Sequence, residues 1–201
     1  MAGVNRPQTI FMDVGGVLLT NGWDHAARER AAAKFGLEPS ELERRHAPLA
    51  RDLDTGKVAL DTYLKEVFGG ERQREARAFV EAQSAAYPDS LTVLAGLASS
   101  GRYLICALNN ESAELNAYRI GRFGLGRYFS LFFSSCYLGL AKPDPAIFKL
   151  ALNVTRRAPE DVVFVDDRSE NVEAARGCGL HVVHYRTAPQ LRADLEALGV
   201  G

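Results

Sequence analysis

Four sets of polar residues in this chain have types and spacings that could do chemistry. Asp13 follows the apolar run Thr9-Ile10-Phe11-Met12 and precedes Val14-Gly15-Gly16-Val17. A carboxylate ending such a run is expensive to bury unless a metal or a lysine compensates it. Asn109 and Asn110 follow the apolar run 103–108 and lead into Glu111-Ser112. Their amides, and the backbone N–H groups opening the next helix, can donate to an anionic oxygen. Lys142 lies in Gly139-Leu140-Ala141-Lys142-Pro143-Asp144-Pro145, where Pro143 keeps it extended and fixes a point charge at a helix mouth. Asp166 and Asp167 close the apolar run 162–165, and Asn171 follows Asp167 by four residues. Taken singly, each set has an ordinary explanation: a turn or capping acid, an N-cap asparagine, a solvated lysine.

The elements that must position these residues change the weighing. Residues 9–13 read as a buried strand. From about 22 to 86 the chain is charged, Ala-rich and helical in period. There Asp24 caps a helix ended by Gly36, and Pro39-Ser40-Glu41 opens a second. Leu60, Tyr63, Leu64, Val67 and Phe68 mark a third, stopped by Gly69-Gly70, and a fourth covers 71–86. From residue 90, helices at 90–99, about 111–121, 169–177 and 188–198, and one started by Pro143 and Pro145 and running to about 153, alternate with strands at 103–108, near 130–134, 162–166 and 180–184. This alternation predicts an α/β fold, a doubly wound parallel sheet with helices on both faces and a helical insertion after its first strand.

Such a sheet binds ligands beyond the carboxyl ends of its strands. All four polar sets fall at those ends or in the loops beyond them. Converging there, they form the kit for metal-assisted phosphoryl transfer. Carboxylates hold a hard cation. The cation and the lysine neutralise phosphoryl oxygens, and a carboxylate nucleophile splits hydrolysis into two easier steps.

Composition narrows the alternatives. Over 201 residues, 47% hydrophobic and 24% charged residues are ordinary globular values, which excludes disorder as the main state. With 24 Lys+Arg against 25 Asp+Glu, the net charge of −1 supplies no overall basic field for nucleic acid or anionic lipid. The longest charge-free stretch, Tyr128 to Ala141, is too short and polar to span a bilayer. No apolar run before Asp13 is long enough for a signal peptide. Cys106, Cys136 and Cys178 are sparse and odd in number, which fits small buried hydrophobes in a reducing compartment. A cytoplasmic protein is expected.

The motifs, in their order, make the chain similar to the haloacid dehalogenase-like hydrolase superfamily along essentially its whole length. Asp13-Val14-Gly15-Gly16-Val17 resembles the first motif, with Asp13 as nucleophile. Asn109 falls where the second usually has Ser or Thr, GLAKPDPAIF around Lys142 resembles the third, and VVFVDDRSENVEAA over 162–175 resembles the fourth. The resemblance implies a core domain of residues 1–20 and 88–201 and a helical cap of 21–87. Within the superfamily the chain looks closest to small sugar-phosphate phosphatases with an Asp-x-Gly first motif. It implies a Mg²⁺-dependent phosphatase, with Asp13, the Gly15 carbonyl, Asp166 and Asp167 at the metal. Lys142, Asn109 and Asn110 are implied at the phosphoryl group. The expected partner is a small phosphorylated metabolite, with no nucleic acid or membrane, and the expected state a monomer or weak homodimer.

One departure matters. Family phosphatases usually carry a second Asp, a general acid/base, two residues after the nucleophile, and here that position is Gly15. Asp166, His25, His46 or a bound water are the candidate substitutes. Gly15 also keeps open an alternative reading as a catalytically impaired binding protein. A third reading is carbon–halogen hydrolysis at Asp13, although Gly15 and the Asp166-Asp167 pair fit a metal-dependent phosphatase better. Arg44, Arg45, His46 and Arg51 could meet a substrate anion, but such a charge run more often makes a solvated face. Trp23 is read as packing where the chain enters the cap.

Overall fold

The computed structural model describes residues 6–201. The first five residues of the expected core segment 1–20 lie outside the described residues, as does part of the stretch searched for a signal peptide. The centre is one parallel five-stranded sheet, ordered β3-β2-β1-β4-β5. Its strands are β1 (Thr9–Met12), β2 (Leu104–Asn109), β3 (Leu131–Ser134), β4 (Val162–Asp166) and β5 (His181–His184). β1 pairs with β2 on one side and β4 on the other, so Phe11 stands between Cys106 and Phe164. All four β1 residues are buried, as expected for the middle of a sheet covered on both faces. The strand order reverses at β1, which opens a crevice between the carboxyl ends of β1 and β4.

Six helices pack on the sheet: α6 (Pro88–Ser99), α7 (Ala113–Phe123), α8 (Ser135–Leu138), α9 (Pro145–Thr155), α10 (Ser169–Gly177) and α11 (Ala188–Ala197). Alternate strand residues feed two apolar layers, one containing Ile10, Met12, Val163 and Val165, the other Phe11, Cys106, Phe148 and Phe164. Cys106 and Cys136 are buried, Cys178 is half-buried, and all three thiols are free.

Between β1 and α6, in the stretch expected to form a cap, lie α1 (His25–Phe35), α2 (Pro39–His46), α3 (Ala50–Asp54), α4 (Leu60–Phe68) and α5 (Gln73–Ala82). The Asp24 carboxylate accepts from the Ala27 N–H, and Gly36 ends α1 at φ +63°, as the sequence punctuation predicts. Leu60, Tyr63, Leu64, Val67 and Phe68 form the buried stripe of α4 in a third apolar cluster, which Leu115 of α7 joins from the core. The helix expected over 71–86 is shorter, because residues 70–72 form a 3₁₀ turn and the chain leaves the helix after Ala82. α3 and α8, of five and four residues, were not anticipated, since a single turn carries no readable period.

Candidate active site

Asp13 leaves β1 one residue past its last paired position, where its N–H donates to the Val165 carbonyl at 2.9 Å. Asp166 is the last residue of β4. Adjacent parallel strands therefore deliver both carboxylates to one edge of the crevice. Lys142 reaches between them. Its Nζ lies 3.0 Å from Asp13 Oδ1 and 2.6 Å from Asp166 Oδ2. The Asn110 amide fixes the lysine backbone from both sides, with Nδ2 donating to the Lys142 carbonyl at 2.8 Å and Oδ1 accepting its N–H at 2.9 Å. Asp166 is fully buried and also accepts from Asn171 Nδ2 and the Arg168 N–H.

The electrostatics follow from burial. Asp13 is raised to about 7, first by desolvation and further by Asp166, with Lys142 opposing. Lys142 is held above its ordinary value: burial alone would lower it, but the two carboxylates outweigh that. Burial also raises Asp167. Ligand atoms of Asp13, Asp166 and Asp167 lie within 4.8 Å of one another. Three carboxyl groups thus lie close together, and one ammonium bridges two of them. Asp167 Oδ1 is buried without a hydrogen bond, and the Gly15 carbonyl accepts none among the described residues. An orphaned carboxylate oxygen, an open carbonyl and excess negative charge fit a hard divalent cation. Gly16 makes room for this set. It sits at φ +76°, and a Cβ there would lie 2.0 Å from Asp167 Oδ2.

Asn109 takes a different place. Its Nδ2 donates to Asn116 Oδ1 at 3.0 Å and its Oδ1 accepts from Ser134 Oγ at 2.9 Å. It is buried, and it is absent from the lining of the cavity above the crevice. Asn110, Lys142 and Asp13 do line that cavity, as does Gly15.

The cavity, about 460 Å³, is roofed by the cap. Trp23, Arg28, His46 and Asp54 line it from above. Trp23 Nε1 donates to the Tyr63 hydroxyl at 2.7 Å, and that hydroxyl lies 2.8 Å from His46 Nδ1. The indole can only donate, and the fully buried Tyr63 has no other acceptor among the described residues. Its proton therefore goes to His46 Nδ1, which leaves the imidazole proton on Nε2. Burial, then nearby Arg28, lowers His46 to about 4, so the ring is neutral at pH 7. Arg28 is clamped by both carboxylate oxygens of Glu43 and donates to the Trp23 carbonyl. Trp23 also packs against Tyr63 and Phe68, as its packing reading expects. Arg44 and Arg45 pair with Glu41 away from the cavity, and Arg51 lies 4.0 Å from Asp144.

Several site groups were missed in the sequence. Asn21 donates to Asp167 Oδ2 at 3.3 Å, and Arg119 pairs with Glu111 at 2.8 Å beneath the cavity. Arg119 follows Glu111 by eight residues, about two helical turns, a spacing that could have flagged the pair. Arg28 and Asp54 carried no signal among many cap charges.

The family profile of haloacid dehalogenase-like hydrolase matches residues 7–179. The chain belongs to this family and is a hydrolase. It is 27% identical over 190 residues to phosphoglycolate phosphatase 1 of Pseudomonas aeruginosa, covering 87% of this chain and 67% of that protein. It is 33% identical over 72 residues to bifunctional epoxide hydrolase 2 of Rattus norvegicus, 36% of this chain, and spans only 13% of that longer protein. Its fold matches a HAD family enzyme from Bacteroides thetaiotaomicron, solved with magnesium and inorganic phosphate, at a TM-score of 0.75 and 18% identity, covering 90% of this chain and 94% of the other. No helix among the described residues is long and apolar enough to cross a membrane.

Proposed function

We propose that this chain is a Mg²⁺-dependent phosphatase of small soluble phosphate esters, sugar phosphates among them, acting through an aspartyl-phosphate on Asp13. One observation carries the reading: Lys142 bridges Asp13 and Asp166, with Asp167 close by, at the floor of a polar cavity. The phosphatase relative and the magnesium- and phosphate-bound structural neighbour support it.

The roles follow from the hydrogen bonds. Asp13 Oδ1 is held by the Val14 N–H at 2.7 Å and by Lys142, while Oδ2 takes no hydrogen bond among the described residues. Oδ2 is therefore the oxygen that attacks phosphorus. Lys142 opposes the rise that burial imposes on Asp13, orients the attacking carboxylate and faces the phosphoryl oxygens. Asp13, Asp167 and the Gly15 carbonyl would hold Mg²⁺, with Asp166 behind them; bound there, the cation would neutralise charge developing on the phosphoryl group. Asn110 positions Lys142, and Asn109 supports Asn116 and Ser134 from below. The cap excludes water and selects the leaving group.

The test is hydrolysis of p-nitrophenyl phosphate with Mg²⁺. Turnover that survives Asp13→Asn or EDTA would sink the reading. A second reading, a non-catalytic binder of phosphate ligands, draws on Gly15; beryllium fluoride binding without turnover across a metabolite panel would favour it. The proposed setting is the cytoplasm, supported by three unpaired thiols, with the chain working as a monomer or weak homodimer on a metabolite and not on nucleic acid or membrane.

A further inference from the structure

The phosphatase reading leaves one proton unassigned. Expelling an alkyl or sugar alcohol from phosphorus needs a donor at the bridging oxygen, and Gly15 offers no side chain. The space beside it is also taken: a Cβ on Gly15 would stand 3.0 Å from Asn21 Oδ1 and 3.7 Å from Arg119 Nη1. A side-chain donor must come from elsewhere on the cavity wall.

The candidates fall one by one. Asp166 is locked by Lys142, Asn171 and the Arg168 N–H. His25 is exposed and faces Glu29. His46 is neutral and spends Nδ1 on Tyr63. Asp24 caps α1. Glu111 is paired with Arg119 and accepts the Ser112 N–H. Among the cavity carboxyls, Asp54 alone has neither hydrogen bond nor ion pair on its side chain among the described residues.

Asp54 is nonetheless firmly placed. Its carbonyl accepts from Ser135 Oγ at 2.5 Å, and the same hydroxyl receives the Glu111 N–H at 3.1 Å, which ties the cap to the end of β2. Two residues on, Gly56 presses so closely on the Cys136 carbonyl that a Cβ would lie 2.0 Å from it. A half-buried, unpartnered carboxyl thus lines the same cavity as Asp13, on a backbone pinned to the core.

We propose that Asp54 is the catalytic acid and base that the cap supplies in place of the side chain missing at Gly15; the proposal rests on the phosphatase reading. As Asp13 Oδ2 bonds to phosphorus and the P–O ester bond breaks, Asp54 passes its proton to the departing alkoxide, which leaves as the alcohol. The Asp54 carboxylate then takes a proton from the water that attacks the aspartyl-phosphate, releasing phosphate and restoring the Asp13 carboxylate and the Asp54 acid. Burial, with Glu111 adding to it and Arg168, Arg28 and Arg51 opposing, pushes Asp54 up to about 6, so both protonation states are accessible near neutrality.

The experiment compares kcat/KM of wild type and Asp54→Asn on p-nitrophenyl phosphate and on glycerol 2-phosphate. Wild-type aryl turnover that depends on Asp13 checks the underlying reading separately. The alkyl ester should lose about 10²–10⁴-fold and the aryl ester, whose phenolate needs little protonation, less than about tenfold. Asp54→Glu should restore part of the alkyl activity. Equal losses on both esters, or no loss on the alkyl ester, would overturn the proposal. Carboxyl ¹³C NMR of the full chain, assigned with Asp54→Asn, should show Asp54 titrating near 6; a midpoint near 4 would overturn it without any turnover measurement.

Discussion

The floor and the roof of the cavity are built from different physics. On the floor, Asp13, Asp166 and Asp167 crowd together with one ammonium bridging the first two, and the oxygens left unpaired among the described residues are Asp13 Oδ2, Asp167 Oδ1 and the Gly15 carbonyl. On the roof, a neutral chain runs from Trp23 through Tyr63 to His46, beside a carboxyl that nothing pairs. In the proposed phosphatase, the floor is preorganised for charge that develops at one fixed phosphorus. The roof would offer hydrogen bonds to whatever the phosphorus carries, and its Arg28 charge is held by Glu43.

Breaking the floor should have the largest effect. Lys142→Met leaves two buried carboxylates facing each other, and urea unfolding at pH 7.5 should show a loss of about 3–5 kcal/mol along with all phosphatase activity. A loss under about 1 kcal/mol would mean the floor is wetter than its burial indicates.

Asp54→Asn should move stability the other way. A folded-state value of about 6 lies above the ordinary carboxylate value, so the stability Asp54 contributes is present below about pH 4 and lost as pH rises through 6. The variant should match wild type at pH 4 and exceed it by about 1–2 kcal/mol at pH 8, where wild type carries an unpaired, half-buried carboxylate. Urea midpoints at the two pH values read this directly; an equal difference at both would erase the contrast between roof and floor.

Tyr63→Phe removes the middle of the neutral chain, leaving the Trp23 N–H and His46 Nδ1 without their partner. A cost of about 1–3 kcal/mol is expected from chemical denaturation, with KM changing more than kcat. The smallest effect is expected at Arg44→Ala. Its pair with Glu41 is on the exposed face of α2, so a thermal melt should register less than about 0.5 kcal/mol. A larger shift would show that the outer cap charges matter as much as those facing the cavity.

The floor was readable in the sequence because its acids close apolar runs and its lysine precedes a proline. Asp13, Asp166 and Lys142 stand at punctuation marks that strand and proline rules make visible, and one parallel sheet brings such positions to one edge. Asn109 shows the limit of that logic. Its strand places it at the correct edge, yet its amide turns into a buried network with Asn116 and Ser134 and not into the cavity. Helix boundaries in the cap were legible where Asp24, Gly36 and Gly69 mark them, whereas α3, the one-turn helix that ends at Asp54, left no periodic trace.

The sequence by itself determined the strand–helix alternation, the insertion after β1 and the acids and lysine at strand ends, because periodicity and burial cost are local properties of the chain. Only the tertiary structure decided which cap groups face the crevice. Asp54 and Asp13 are 41 residues apart in the chain, and their sharing of a cavity depends on Gly56 settling against Cys136 and on Ser135 bonding to both cap and core. Those are packing outcomes between distant segments, set by close approach and hydrogen-bond satisfaction, which local spacing does not encode.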